Sequence, residues 1–218
     1  MKSSLPENII LYQHILSEKQ KSSVEEILDE INRNIETYST DLIWEVDKEI
    51  GGIGGYCMPC NPIINPYPGG EYRQLFRPLQ YARSEIDIAN VHMSSRYIVF
   101  YSGLHLETVV RLVLAKIKIL GNLKYMNTTL GRATKKLQKS GGIPDELIEG
   151  LFHFVPIYNK SKHEVNQDED RKRLFMPSDA IIAYLSARIL GFQLLKIINH
   201  DSTKYNYEID KSKFKGHI

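Results

Sequence analysis

The chain has 218 residues, 42% hydrophobic and 25% charged, with 28 Lys and Arg against 26 Asp and Glu for a formal charge of +2. This composition suits a globular protein with one substantial core or two small ones; 14 Gly and 9 Pro exclude collagen-like and mucin-like chains, and two cysteines exclude a disulfide scaffold. No stretch approaches the roughly 18 uninterrupted apolar residues of a membrane span: the most apolar one, 97–120, carries His105, Glu107, Arg111, Lys116 and Lys118.

The first twenty residues lack an apolar core followed by a small-residue cleavage site, so they do not read as a signal peptide, and a cytoplasmic location without membrane contact is the expectation. Charge is unevenly distributed. Residues 1–50 hold 5 basic and 11 acidic side chains, whereas 108–144 hold 8 basic and no acidic ones. Such a chain presents an acidic surface and a basic surface at once, the first suited to a protein partner or a second copy, the second to a polyanion.

Val24, Ile27, Leu28, Ile31, Ile35, Tyr38 and Leu42 recur at three- and four-residue intervals, which predicts one amphipathic helix, with Ser22 and Ser23 as caps and Glu25 and Glu26 in the first turn. From Gly51 to Pro78 six Gly and five Pro deny the backbone regular structure and predict a long loop. Four helices are expected after it: 94–120, 123–139, 144 to about 164, and 178 to about 199. Gly121-Asn122, Ser140-Gly141-Gly142, Pro144 and Pro177-Ser178-Asp179 supply the stops and starts. Short connections favour an antiparallel four-helix bundle in an all-α fold. The expected organisation is an acidic helical region at 1–50, a Gly/Pro-rich connecting segment at 51–92, the bundle at 93–200 and a tail at 201–218.

The glycines of 51–55 do not lead into a helix and no Gly-Lys-Ser/Thr follows, so a nucleotide-loop reading is set aside. Cys57 and Cys60 have the spacing of a metal or redox pair, but the chain has no further cysteine to complete a zinc site and no βαβ context for redox chemistry; ordinary loop thiols are the simpler reading, and neither a metal nor a cofactor is expected.

Three groups of residues remain. Arg132, Lys135, Lys136 and Lys139 fall on one helix face opposite Leu130, Ala133 and Leu137; such a row neutralises phosphates or simply forms a solvated face. Glu107 and Arg111, at i and i+4 on the most apolar helix, must pair or reach a cleft, and form either a structural ion pair or a polar site beside the third group. That group, Tyr158-Asn159-Lys160-Ser161-Lys162-His163-Glu164, places Asn159 and His163 one turn apart with Lys160 and Lys162 alongside. A histidine that titrates near neutral pH, next to an amide and cations, suits phosphodiester chemistry, although a histidine at a helix end is also simply stabilising.

A helical bundle whose third helix closes on a polar residue and a histidine, followed by a charged loop (166–173) and a long apolar helix (180–198), resembles the HEPN superfamily of helical nucleotide-binding and ribonuclease domains. The resemblance covers about residues 94–199. It implies a homodimer acting on RNA or a nucleotide, of toxin or defence type. The implied chemistry is a metal-independent endoribonuclease with His163 as general acid or base, Asn159, Lys160 and Lys162 around the phosphate, and Glu107 and Arg111 nearby. Active members carry an arginine separated from the histidine by four to six intervening residues, where this chain has Pro156, Ile157 and Tyr158. The departure keeps a second expectation open, a catalytically inactive module binding a nucleotide, an RNA or a protein.

Overall fold

The computed structural model describes residues 17–33, 40–51, 71–117, 128–163 and 175–198. Among them all regular structure is helical and no strand occurs, so the fold is all-α. The helices are α1 (Glu18–Arg33), α2 (Asp41–Gly51), α3 (Glu71–Ser84), α4 (Val91–Lys116), α5 (Leu130–Ser140), α6 (Asp145–His163) and α7 (Pro177–Ile197), with a π-helical turn, Glu85–Asn90, between α3 and α4.

Helix α4 is the hub, packed against α3, α5, α6 and α7. Ile98, Val99, Leu106, Val109, Val110, Val113 and Leu114 line one broad face of it, and all are buried. Its main partner is α7, where Ala180, Ala183, Ala187 and Gly191 recur at helical spacing, all buried, and let the two backbones approach closely. Two glycines fix the closest contacts. A Cβ on Gly191 would lie 2.4 Å from Nε2 of His105, and one on Gly103 would lie 2.2 Å from Cδ2 of Tyr158, so both rings sit where only glycine leaves room.

His105 is fully buried. Its Nδ1 meets the Leu75 carbonyl of α3 at 2.7 Å, and its Nε2 has no hydrogen-bond partner among the described residues. Burial drives its pKa down to about 3, against the opposing pull of the Leu75 carbonyl, and the nearby Arg188 cation lowers it further. The ring is therefore neutral, with Nδ1 as the donor.

Helices α1 and α2 pair with each other through Val24, Ile27, Ile31, Ile43 and Val46, and both pack on α7. Asp47 of α2 and Arg188 of α7 form an ion pair with both side chains 0% exposed; Nε of Arg188 donates to the carboxylate, and Nη2 donates to the Asp47 carbonyl at 3.2 Å. Arg83 of α3 lies 4.2 Å over the Trp44 ring, and Trp44 meets Tyr184 of α7 edge-on.

The single amphipathic helix expected over residues 24–42 is instead divided between α1 and α2; Ile35 and Tyr38 lie outside the described residues. The loop expected as far as Pro78 ends sooner, because residues 71–90 are helical with Pro78 inside α3. Proline removes one backbone donor, and the burial of Leu75, Phe76 and Leu79 against the core outweighs that loss. The Pro144 and Pro177 starts match the expected ones: the Pro144 carbonyl accepts from Leu147 N–H at 3.0 Å, and the Asp179 carboxylate accepts from Met176 N–H at 2.8 Å at the entry to α7. Helix α5 closes on Gly141 and Gly142, which hold φ values of +68° and +78° that a side chain would strain.

By length and composition α4 and α7 are apolar enough to cross a membrane, each with a mean hydropathy of 1.5 over its best window. Of these apolar stretches 61% and 78% are buried inside the protein.

Candidate functional site

Three expected site residues come together where α4, α5 and α6 meet. Glu107 and Arg111 of α4 are one turn apart, and Nη2 of Arg111 donates to Oε1 of Glu107 at 2.6 Å. The other oxygen, Oε2, accepts the Leu130 backbone N–H at 3.0 Å, the first amide of α5. The preceding residue, Thr129, makes no side-chain cap, so a carboxylate from a neighbouring helix caps α5 and meets the positive end of its dipole. Arg111 Nε also donates to the Thr128 carbonyl at 2.8 Å, fixing the approach to α5 from the same side.

Lys162 reaches this carboxylate from α6, with Nζ 3.9 Å from Oε2 of Glu107 and 3.9 Å from the centroid of the Tyr158 ring. Tyr158 is buried, and its phenol is held above the ordinary range, first by burial and then by the Glu107 charge, with Arg111 opposing. One carboxylate therefore faces two cations and a helix N-terminus, which leaves surplus positive charge beside the last turn of α6. Both carboxylate oxygens are engaged, so Glu107 acts here as a clamp joining three helices.

Asn159 and Lys160 occupy the same stretch of α6 but are exposed to solvent, on the side away from buried Ile157, Tyr158 and Ser161. His163 is the last residue of α6, one turn beyond Asn159. The positions where the resemblance would place an arginine are exposed Pro156 and the buried Ile157 and Tyr158, so two of the three point into the core.

Sequence spacing did not reveal Arg96 of α4, whose Nε donates to the Ser161 carbonyl at 2.9 Å and thereby caps the C-terminal turn of α6. This brings a guanidinium to the turn from 65 residues away. No local motif marks it; the only signal was a charge on a mostly apolar helix.

The basic row lies on α5, which packs on both α4 and α6. Arg132, Lys135 and Lys139 are exposed and Lys136 is half-buried, while Leu130, Ala133, Thr134 and Leu137 face the core. Among the described residues no group of three or more His, Cys, Asp or Glu side chains is placed to hold a metal ion, and Cys57 and Cys60 lie outside those residues.

The chain matches no family model, and no curated protein and no solved structure is significantly similar to it.

Proposed function

We propose that this is a HEPN-like, RNA-acting protein in which residues 93–200 form the four-helix bundle and the last turn of α6 carries the chemistry. The observation that supports it most is electrostatic: an exposed cationic row on α5 and surplus positive charge around Lys162 flank the exposed Asn159 and Lys160. In this reading the row tracks the phosphate backbone. His163 accepts a 2′-hydroxyl proton and returns one to the leaving oxygen, while Asn159 and Lys160 hold the phosphate. Glu107, Arg111, Lys162 and Arg96 position the turn rather than touch substrate, because their contacts tie helices to one another.

The test is incubation of the chain and of His163→Ala with structured and single-stranded RNA in EDTA. Cleavage by the wild type alone supports the assignment, and equal cleavage by the variant refutes it. A second reading, a catalytically inactive RNA-binding module, draws support from burial of the motif positions 157 and 158, which leaves no guanidinium fork there. It predicts RNA retention that falls with salt, weakens in Lys135→Gln/Lys139→Gln, and occurs without turnover.

A further inference from the structure

Helices α3 and α4 run back along each other. The chain reverses at Asn90, whose φ is +85°, and the pairing can be followed outward from there. Tyr81 meets Tyr101 with ring centroids 5.3 Å apart at an interplanar angle of 49°, and further out Leu75 meets His105. One turn nearer the reversal on each side stand Glu85 and Tyr97, so Tyr81, Tyr101, Tyr97 and Glu85 form the corners of one patch. The Tyr101 phenol is raised, first by burial and then by Glu85, Tyr81 and Tyr97, which puts the carboxylate and both neighbouring phenols within electrostatic reach of it. The patch is open to solvent: Tyr81 is 46% and Tyr97 57% exposed, with Tyr101 and Glu85 half-buried behind them.

We infer that this patch is a cage for a trimethylated ammonium group, the head of a trimethyl-lysine side chain on a protein partner, held by the rings of Tyr81, Tyr97 and Tyr101 with Glu85 as the counter-charge. The face of an aromatic ring is electron-rich and attracts a cation placed within about 6 Å of its centroid. Tyr81 already receives one in this way, because the guanidinium carbon of Arg77 lies 5.6 Å over its ring. Arg77 is also the one like charge known to lie against the patch, and Glu85 offsets it. Methylation of the ligand follows from what the patch offers. A bare ammonium is strongly hydrated and needs acceptors for three N–H donors, which three ring faces and one carboxylate supply poorly. A trimethylammonium spreads its charge over methyl groups, sheds little water and buries those methyls against the rings. The carboxylate argues against a phosphate-bearing occupant, and the open side admits a head group while the rest of the ligand stays outside. Met93, 77% exposed and one turn before Tyr97 on the same side of α4, extends the apolar surface by about 6 Å, enough to cover part of a four-carbon stem.

This inference does not rest on the RNA reading, since the patch belongs to α3 and α4 and the basic row to α5. The test is a titration of the full chain with Nα-acetyl-trimethyl-lysine methylamide, followed by NMR of the ligand methyl protons and of the tyrosine rings. The methyl signals are expected to move upfield over the ring faces, with a Kd of about 1 mM. The unmethylated lysine analogue, and a neutral analogue with a tert-butyl group in place of the trimethylammonium, are each expected to bind about tenfold more weakly. Tyr97→Leu and Tyr81→Leu, with folding checked by circular dichroism, are expected to weaken binding about fivefold, Glu85→Gln about threefold, and Tyr97→Phe by less than about twofold because the ring is kept. Equal affinity for the charged and neutral analogues overturns the inference, as does unchanged binding by folded Tyr97→Leu. Free choline binding as tightly as the trimethyl-lysine analogue overturns the assignment to a protein side chain.

Discussion

His105→Asn separates the titration of a buried ring from its packing. The amide nitrogen of Asn takes the place of Nδ1 and still reaches the Leu75 carbonyl, while the titrating group is gone. In the folded chain His105 ionises only near pH 3, against 6.5 when unfolded. Between those values the unfolded state binds a proton that the folded state does not, so the stability this group protects is intact above pH 6.5 and is lost as pH falls. At pH 5 the unfolded imidazole is protonated by roughly 30 to 1, which lowers the unfolding free energy by about 2 kcal/mol relative to pH 7.5. For a chain of this size that is a fall in Tm of roughly 4–8 °C from this residue alone. The variant starts about 1–2 kcal/mol lower at pH 7.5 because half of the ring volume is vacated. Its further loss on going to pH 5 is smaller than the wild type's by about 2 kcal/mol. Urea unfolding at pH 7.5, 6 and 5 measures both quantities, and parallel pH dependences for the two proteins would refute a buried neutral imidazole.

Gly103→Ala drives a methyl group into the Tyr158 ring and is expected to destabilise the fold by about 3 kcal/mol in urea unfolding. Gly191→Ala collides with His105 Nε2 in the same way; in the His105→Asn background its cost is expected to fall by more than half, a coupling read from a double-mutant cycle. Arg188→Met leaves Asp47 buried without its cation and is expected to cost about 3–5 kcal/mol, whereas Arg188→Met with Asp47→Leu recovers most of the loss; equal destabilisation by the single and double variants would argue against the pair. Glu107→Ala removes the cap of α5, so hydrogen exchange of the first α5 amides is expected to accelerate at least tenfold while that of α1 is unchanged.

The helical character was legible because periodicity and stop signals are local. Pro144 and Pro177 marked two starts within a residue, and Val24, Ile27 and Ile31 marked the buried side of α1. Helix α3 was illegible because Pro78 outweighs its neighbours in any local count, whereas in the fold the core contacts of Leu75, Phe76 and Leu79 decide. The same division holds at the site. The pairing of Glu107 with Arg111 follows from i, i+4 spacing, and the exposed basic row follows from its opposition to Leu130, Ala133 and Leu137. The bond from Glu107 to Leu130 N–H, the approach of Lys162 and the cap from Arg96 all join residues distant in sequence, and no spacing rule encodes them.

The cap that Glu107 supplies to α5 has a consequence for how this chain tolerates change in length. A helix that carries its own cap begins wherever its sequence says, and moves when the sequence before it is shifted. Helix α5 begins where α4 offers a carboxylate, so its starting point is written into a rigid neighbour. The start of α5 is therefore set by this bond, whatever residues lead up to Thr128. The basic row, locked in phase with Leu130, stays where it is on the surface.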